Sequence, residues 1–308
     1  MRRTVSSGRA TLSGAALGIA ICLAAGFCAA AAAERPPKGG IFAKNNLVAW
    51  CIVPFDAAKR GPAERAEMLR RLGITMLAYD WREKDIPTFD QEVDELAKRG
   101  IRLQAFWLSS GLNPETDRNV AAVLGFLKRR GIATQIWYYV GGEKDLAPLS
   151  QERKVEAVAR AVGYVARAAR AFGSSVGIYN HQGWTGEPEN QIEVIRKLGM
   201  DHIGIVYNFH HGREHMARFP ELFVKMKPHL YCVNLNGMKE GGPMIMPIGE
   251  GDREMEMLRV IRSSGYSGPI GILNHREDVD AETGLKQNMD GLKRLLRAMG
   301  EREAAGTY

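Results

Sequence analysis

Eight short apolar segments alternate with eight amphipathic segments along the chain, and this alternation limits the possible folds more than any other feature. The apolar segments are rich in β-branched and aromatic residues, which is typical of strands buried on both faces of a parallel sheet. They lie at residues 47–53, 74–79, 101–108, 132–140, 176–179, 203–207, 230–235 and 270–273. The segments between them have helical periodicity, and several begin near proline and end near glycine. The order therefore predicts eight consecutive βα units.

Eight βα units within about 260 residues match a (β/α)8 TIM barrel in number and length. We predict an α/β fold with one barrel domain over residues 46–300, preceded by a polar lead at 34–45 and followed by a polar tail at 301–308. A doubly wound open sheet is the competing architecture, and it usually has a glycine-rich phosphate turn after its first strand. The sequence there, Val53-Pro54-Phe55-Asp56, contains no glycine, which favours the barrel.

Local signals predict where three of the helices begin. Thr88 and Gln91 have the spacing of a capping box, in which each side chain bonds to the backbone of the other residue. The pair Asn113-Pro114 predicts the start of the third helix, since proline is favoured in the first helical turn. Asp252 is expected to cap the helix that precedes the eighth strand.

Residues 1–33 have the three parts of a secretory signal peptide. A basic start with three arginines precedes an apolar stretch and an alanine-rich end, with an Ala-x-Ala cleavage site at 31–33. The apolar stretch is short for a membrane-spanning helix, and no other segment is long and apolar enough to cross a bilayer. We therefore expect a periplasmic or secreted protein that has no membrane association after cleavage.

Charge and cysteine content exclude two further possibilities. The chain has 42 Lys and Arg against 35 Asp and Glu, and its formal net charge of +7 falls to +4 without the three arginines of the signal peptide. So small a surplus, with no block of basic residues, does not predict a nucleic-acid partner. Beyond the signal peptide, Cys51 and Cys232 lie in predicted strands two apart around the barrel, too far for a disulfide, so we expect buried free thiols.

Histidine and asparagine are concentrated where the predicted strands end, which is the functional face of such a barrel. All seven histidines lie at or beyond position 181. Four of them directly follow predicted strands, namely His181, His210, His211 and His275. Amides at the same strand ends are Asn180, Asn208, Asn234, Asn236 and Asn274. This clustering predicts one site, in which imidazoles transfer protons and amides bind the hydroxyl groups of a carbohydrate.

Strand alternation gives this site an expected geometry. His181 lies two residues after Tyr179 and His275 two residues after Leu273, so each imidazole points inward if the earlier residue does. Strands five and eight lie across the barrel mouth from each other, and we expect His181 and His275 to flank a substrate, with His211 as a third catalytic candidate. Hydrogen bonding of these histidines to neighbouring loops, and turn formation by the asparagines, are the structural alternatives.

Two other side chains are candidates for substrate binding. Trp184 follows strand five and offers a flat apolar face to a sugar ring. Asp80 follows strand two, and the sequence is compatible with two roles for it, orienting a ligand or pairing with Arg82.

Two motifs near the carboxyl end give the chain a resemblance to a known family. They are Pro-Ile-Gly-Glu-Gly-Asp at residues 247–252 and Ser-Gly-Tyr-Ser-Gly-Pro-Ile at residues 264–270. With the eight βα units, they resemble the xylose-isomerase-like barrel superfamily, which includes sugar phosphate isomerases and epimerases and the AP endonuclease family 2 type. The resemblance implies a TIM barrel acting on a small carbohydrate. It also implies a divalent metal held by Glu after strand five, Asp and His after strand six, His after strand seven and Glu after strand eight.

The sequence departs from that metal site at most positions. The matching segments are Tyr179-Asn180-His181, Asn208-Phe209-His210-His211, Asn234-Leu235-Asn236-Gly237 and Leu273-Asn274. Only His211 matches a ligand, and because Mg²⁺ and Mn²⁺ need anionic oxygen ligands, we do not expect a conventional site for them. A zinc site formed by His181, His211 and Glu187 is left open, with Glu189 as the alternative carboxylate. The cofactor is therefore unassigned.

These observations predict an exported isomerase or epimerase that acts on a carbohydrate or sugar derivative by histidine-mediated proton transfer. A non-catalytic sugar-binding protein descended from such an enzyme is the alternative, and the loss of the metal carboxylates supports it. A nuclease of the AP endonuclease type is disfavoured, because the chain has neither a carboxylate-rich metal cluster nor a basic face for DNA.

Overall fold

Eight parallel strands form a closed barrel in the computed structural model, which describes residues 39–308. The predicted signal peptide lies outside the described residues. Each strand pairs with the next in chain order, and the first pairs with the last. The strands are β1 (Leu47–Trp50), β2 (Met76–Tyr79), β3 (Arg102–Ser110), β4 (Gln135–Val140), β5 (Ser175–Tyr179), β6 (Ile203–Asn208), β7 (Leu230–Leu235) and β8 (Ile270–Leu273). The predicted (β/α)8 barrel is confirmed.

Amphipathic helices surround the strands and bury their apolar faces against the outside of the barrel. Those of the described residues are α1 (Pro62–Leu72), α2 (Phe89–Lys98), α3 (Arg118–Arg130), α4 (Glu143–Leu146), α5 (Gln151–Arg170), α6 (Pro188–Leu198), α7 (Phe219–Met226), α8 (Glu254–Ser263), α9 (Ala281–Met299) and α10 (Arg302–Ala305). The one-turn helices α4 and α10 are additions to the repeating pattern. Within residues 39–308, none of the helices has the length and apolar character that crossing a bilayer requires.

The structure corrects the local signals predicted at three helix starts, although α2 does begin directly after Thr88. Thr88 makes no cap bond to α2 and instead donates its hydroxyl to the carbonyl of Asp85 at 2.8 Å. Pro114 opens only a short 3-10 helix, and Asp117 is the residue that caps α3, by accepting the backbone N–H groups of Asn119 and Val120. Asp252 accepts the backbone N–H of Glu240 at 3.0 Å and caps no helix. For Thr88 and Asp252, a hydrogen bond within the loop competes successfully with the predicted cap.

Aromatic side chains fill the interior of the barrel. The rings of Trp50 and Trp137 meet edge to face with centroids 4.9 Å apart, and those of Trp107 and Tyr179 do so at 4.7 Å. The indole N–H of Trp50 also donates to the hydroxyl of Tyr179 at 3.3 Å. Because this cluster fills the lumen, the space for a ligand at this end of the barrel lies above it, among the loops that follow the strands.

Strand β1 is shorter than the seven residues predicted for it. Its neighbour Cys51 has a positive φ of 52°, a conformation that ends the extended strand and that side chains other than glycine rarely adopt. Cys51 and Cys232 are both buried and unbridged, which confirms the expectation of free thiols.

Close packing between β7 and β8 depends on one glycine. Gly271 is in register with Asn234, and a Cβ atom at position 271 would lie 1.7 Å from Asn234 Oδ1. The absence of a side chain at Gly271 therefore makes the room that the Asn234 amide occupies inside the barrel.

The loop from β7 to α8 returns over the barrel mouth as a small hairpin, which we call the cap hairpin (residues 237–246). Gly237 and Met246 form an antiparallel bridge at its base. The side-chain amide of Asn236 donates to the carbonyl of Met244 at 2.8 Å, and Arg213 donates to the carbonyl of Gly242 at 2.7 Å. These bonds hold the hairpin against the strand ends where the site was predicted.

Candidate active site

Four imidazole rings lie side by side across the mouth of the barrel. The ring centroids of His181 and His211 are 4.2 Å apart, those of His211 and His210 are 4.1 Å apart, and those of His210 and His275 are 4.5 Å apart. We call these residues the imidazole row. The row joins the ends of β5, β6 and β8, so the clustering of these histidines that the sequence predicted is confirmed.

Aromatic rings close both ends of the imidazole row. Phe55 stacks on His275 with centroids 3.8 Å apart, and Tyr139 stacks on His181 at 4.3 Å. Tyr179 and Leu273 lie in the interior cluster of the barrel, as predicted. Both strands end at these residues, however, and His275 has a positive φ of 46°, so the turn after β8 and not strand alternation sets the direction of its ring.

His181 and His275 do not face each other across an open space, which corrects the predicted geometry. The rings of His210 and His211 fill the distance between them, because the chain turns after β6 in a short 3-10 helix (Phe209–His211) that directs both rings over the mouth. A substrate therefore cannot lie between His181 and His275.

Burial keeps the row uncharged. Desolvation lowers the pKa of His210 to about 4, of His211 to about 2 and of His275 to about 3, and the neighbouring imidazoles add to the effect. Burial also lowers the pKa of His181, although the carboxylate of Glu143 opposes that shift. Neutral imidazoles can both accept and donate a proton or hydrogen bond, so near neutral pH the row presents uncharged donors and acceptors.

A cavity of about 270 Å³ lies beside the His181 end of the row. It is small beside the ~300–1,000 Å³ of common ligand pockets, which suits a small molecule. His181, His211, Glu187, His215 and Met244 contribute to its wall, together with Gln182, Gly183, Gly186, Arg213 and Glu214. Loops after β5 and β6 and the cap hairpin therefore meet around one small space.

The loop after β5 folds back sharply enough to bring Glu187 into the same cavity as His181. Gly186 makes this possible, because a Cβ atom there would lie 1.4 Å from the carbonyl oxygen of His181. Glu143 holds the outer side of the loop by accepting the backbone N–H of Trp184 at 3.1 Å.

Three of the predicted sugar-binding amides instead bond to one another. Asn180 Oδ1 accepts the backbone N–H of Asn208 at 2.6 Å and its Nδ2 at 3.1 Å. Asn234 Nδ2 donates to Asn208 Oδ1 at 2.7 Å. We call these three residues the asparagine ladder; all are fully buried. The ladder crosses β5, β6 and β7 inside the protein and presents no exposed amide to a ligand.

The other two amides tie loops together. Asn274 is fully buried and donates to the carbonyl of Phe55 at 2.6 Å, while Asn236 donates to the cap hairpin. None of the five predicted amides lines the cavity, because each side chain is directed into the protein, where its donors are used. Their predicted contact with a sugar is therefore not supported by this arrangement.

Trp184 and Asp80 also lie away from the cavity wall. The indole N–H of Trp184 donates to Gln151 at the start of α5, at 2.8 Å, which places the ring in the helix layer. Asp80 is buried and accepts the backbone N–H of Val53 at 3.2 Å, and burial raises its pKa to about 6. Its carboxylate does not pair with Arg82, which donates instead to the backbone carbonyl of Asp80 at 2.8 Å.

Comparison with known proteins identifies the family. The model of the xylose isomerase-like TIM barrel family matches residues 55–295. The chain belongs to this family. No curated protein matches the sequence. Membership in the xylose isomerase-like family agrees with the closed barrel and with the two motifs near its carboxyl end.

Solved structures share the fold of this xylose isomerase-like barrel at low sequence identity. IolI with a bound zinc atom is 11% identical, with 82% of this chain and 98% of that one covered and a TM-score of 0.62. The 3-keto-D-glucoside 4-epimerase YcjR from E. coli is 12% identical, with coverage of 83% and 99% and a TM-score of 0.60. An L-ribulose 3-epimerase is 12% identical, with coverage of 82% and 96% and a TM-score of 0.59.

The residues of this member do not fit the divalent metal that the family resemblance implies. Within residues 39–308, no three His, Cys, Asp or Glu side chains are grouped to hold a metal ion. Asparagines with fully buried, mutually bonded amides stand at the ends of β5, β6 and β7, and neutral amides are weak ligands for hard cations. The zinc set that the sequence left open is not assembled either: His181, His211 and Glu187 share a cavity, but Glu187 Oε1 is 3.1 Å from His215 Nε2.

Several residues of the site were not predicted to have a role in it. His210 was noted only as one of the histidines at the strand ends, and His215, Tyr139 and Phe55 were not singled out. The adjacent pair His210-His211 is a signal that could have revealed the row, since a tight turn can aim two consecutive side chains at the same space. Nothing in the local sequence marks Phe55 or Tyr139, because their stacking depends on the closure of the barrel.

Proposed function

We propose that this protein is an exported isomerase or epimerase that transfers a proton on a carbon of a sugar or oxidised sugar. The observation that carries the proposal is a cavity in which two neutral imidazoles, His181 and His211, lie beside the carboxylate of Glu187. Proton transfer near neutral pH needs a base and a hydrogen-bond donor in one water-restricted space, and these side chains supply both.

His181 is the base in this proposal. Its imidazole is neutral, and Glu143 favours the protonated form that it reaches after accepting a proton. It removes a proton from the carbon next to a carbonyl group: the C–H bond breaks, the N–H bond forms, and the electron pair moves to the carbonyl oxygen. His211, held neutral by burial, donates its N–H to that oxygen, since a neutral imidazole can stabilise a developing oxyanion. Return of the proton to the former carbonyl carbon, while the neighbouring hydroxyl gives its proton to the enolate oxygen, completes isomerisation. Protonation of the same carbon on its opposite face by water, with His181 then releasing its proton to solvent, completes epimerisation.

The names of two similar structures support the substrate class. A 3-keto-D-glucoside 4-epimerase and an L-ribulose 3-epimerase both act, by name, on a sugar with a ketone next to the epimerised carbon. A hydrogen on such a carbon is acidified by the adjacent ketone, and the chemistry proposed for His181 requires this. We therefore propose ketoses and keto-glycosides as substrates. Export is proposed from the signal-like residues 1–33 of the sequence.

Deuterium exchange tests the proposal directly. The purified protein is incubated in D₂O with a panel of aldoses, ketoses and keto-glycosides that includes L-ribulose, and uptake at carbon is followed by NMR. We expect uptake with at least one keto sugar, an about 100-fold loss in His181→Asn, and no loss in His229→Gln, which changes a histidine outside the row. Exchange is expected to persist after treatment with a chelator, because the residues do not fit a divalent metal.

Two results would count against the proposal. Exchange with none of the sugars would overturn it. Calorimetric binding of a sugar without any exchange would instead support the alternative of a non-catalytic sugar-binding protein, which the buried asparagine ladder in place of metal ligands favours.

A further inference from the structure

A line of three hydrogen-bonded side chains ends at the cavity, and the imidazole row does not account for it. The hydroxyl of Tyr207 lies 3.2 Å from His215 Nδ1, and His215 Nε2 lies 3.1 Å from Glu187 Oε1. Tyr207 is fully buried and the side chain of His215 is only 6% exposed, whereas the side chain of Glu187 is 43% exposed. The line therefore begins at a buried hydroxyl in the helix layer and ends at a carboxylate that a ligand can reach.

The fold fixes this line from two directions. Tyr207 lies on β6 and points outward, since its neighbour Val206 belongs to the interior cluster of the barrel. Glu187 stands immediately before Pro188, the first residue of α6, so its backbone is set by the helix start. His215 lies in the loop after β6 and connects the two. One oxygen of Glu187 is thereby held in place within a cavity that also contains His181 and His211.

The second oxygen, Oε2, accepts no hydrogen bond within the part of the chain that the structure describes. The bond from His215, helped by the charge of Arg218, lowers the pKa of Glu187, so the group is a carboxylate. An oriented carboxylate is a strong acceptor for hydroxyl groups, and a sugar presents several hydroxyls at fixed spacing.

We infer that Glu187 is a specificity-determining residue that binds a hydroxyl group of the sugar next to the reacting carbon, and that His215 and Tyr207 are positioning residues for its carboxylate. This inference rests on the proposed function and adds to it the group that distinguishes a polyhydroxylated ketose from a simple ketone. Without Glu187, the cavity would have imidazoles for chemistry and no fixed anionic acceptor for a hydroxyl.

Glu189 provides a matched control two residues along the same chain. It lies in the first turn of α6, and its carboxylate accepts hydrogen bonds from Arg218 at 2.6 Å and from Lys225 at 3.2 Å on the surface. It does not line the cavity. A general effect of charge loss at the start of α6 would appear in Glu189→Gln as well as in Glu187→Gln, whereas loss of a ligand contact would appear only in Glu187→Gln.

The experiment measures calorimetric binding and deuterium exchange for the purified protein and its variants, with L-ribulose and a methyl 3-keto-glucoside as the two ligands. For Glu187→Gln, we expect affinity and kcat/KM to fall about 10- to 100-fold, as for the loss of a charged hydrogen bond. Glu189→Gln should match the unchanged protein. Exchange with acetoin, a hydroxyketone that has a single hydroxyl group, should fall much less than exchange with the sugars.

The positioning roles have their own readouts. His215→Gln keeps a donor for Glu187 and should weaken binding of the keto sugars less than His215→Ala, while Tyr207→Phe should raise KM without lowering kcat to the same extent. Thermal unfolding of each variant reports any general loss of structure. A purely structural tie between α6 and the loop after β6 would lower the melting temperature and leave the KM of the folded protein unchanged.

The outcomes distinguish a wrong role for Glu187 from a wrong assignment of the activity. Sugar binding and exchange that are equal in Glu187→Gln, Glu189→Gln and the unchanged protein would overturn this inference and leave the proposed function standing. Failure of the unchanged protein to bind or exchange either keto sugar or any other sugar of the panel would overturn the proposed function, and this inference with it.

Discussion

At the residue scale, the imidazole row depends on histidines that fold in their uncharged form. The pKa of His210 is lowered to about 4, that of His275 to about 3 and that of His211 to about 2, in each case chiefly by burial. In the unfolded chain a histidine titrates near 6.5. Between these values the unfolded chain binds protons that the folded protein does not bind, so the free energy of unfolding falls as the pH falls below about 6.5.

The direction of these pKa shifts predicts how the free energy of unfolding changes with pH. His275→Gln removes one such group, so the free energy of unfolding of the variant should fall less steeply between pH 6.5 and 4.5, by about 1 kcal/mol per pH unit. Urea unfolding at several pH values measures the slopes. The comparison must be between the two proteins, because the raised pKa of Asp80 acts in the opposite direction in both. Parallel curves would mean that His275 is not held neutral.

The sequence predicted the composition of the site better than the orientation of its side chains. The positions of His181 and His275 just beyond β5 and β8 follow from where the apolar segments end, which is a local property of the sequence. The burial of Asn180 and the outward direction of Trp184 depend on what the neighbouring strand and α5 present to them. Such contacts join residues distant in the chain, and a single sequence does not specify them.

At the scale of elements, the asparagine ladder joins three neighbouring strands by side-chain bonds near the barrel mouth. Asn208 is its centre, since it donates to Asn180 and accepts from Asn234. Asn208 needs both the N–H donor and the oxygen acceptor of its amide, because a carboxylate can accept from Asn234 but has no N–H to donate to Asn180. The ladder is thus specific for amides and is not a set of interchangeable polar groups.

We predict that Asn208→Asp destabilises the protein by about 2–4 kcal/mol, because it buries a negative charge against the oxygen of Asn180. Chemical denaturation measures the loss, and Asn45→Asp, at an exposed residue before β1, should change little. Adding Mn²⁺ or Zn²⁺ is expected not to restore the stability of Asn208→Asp. Full rescue by a metal would show that the strand ends can form a cation site after one substitution.

Helix starts and the cap hairpin mark the limit of prediction at this scale. Hydrophobic periodicity located the helices of the eight units, because each must bury one face on the barrel. The residues that cap them were predicted less well, since Thr88 and Asp252 have alternative partners in the adjoining loops. The cap hairpin has no periodic pattern, and its position follows from bonds such as that between Asn236 and Met244.

At the scale of the whole molecule, polar bonds reinforce the place where the first βα unit meets the last. Asp56, after β1, is buried and accepts the backbone N–H of Ala281, at the start of α9, at 3.0 Å. It also pairs with Arg60 at 2.8 Å, and Arg60 reaches Asp280 at 2.6 Å. This cluster supports the pairing of β1 with β8, which closes the barrel.

Asp56→Ala should lower the free energy of unfolding by about 2–4 kcal/mol, because it removes a buried charged acceptor and leaves Arg60 and a helix-start N–H without it. Guanidinium unfolding followed by circular dichroism measures the change. Asp201→Ala, which removes an exposed ion pair with Arg170, should have little effect. Equal stability of the two variants would mean that the Asp56 cluster adds nothing to closure.

The whole fold was the part of the structure most accessible from sequence. Eight apolar segments separated by amphipathic ones are compatible with only a few architectures. The absence of a glycine-rich turn after β1 disfavoured the doubly wound open sheet, which was the main alternative. Closure itself adds information that the sequence does not contain: it brings Phe55, after β1, onto His275, after β8. The stacking that completes the imidazole row is therefore a property of the closed barrel.

The lack of a side chain at Gly271 restricts the order in which mutations can change the barrel mouth during evolution. A methyl group at position 271 collides with the Asn234 amide, so the side chain at 234 must shrink first. That first step disconnects Asn208 from its donor and weakens the three-strand link. A larger residue at position 271 can therefore evolve only after the asparagine ladder is lost. Proteins that descend from this chain and keep the ladder should keep Gly271.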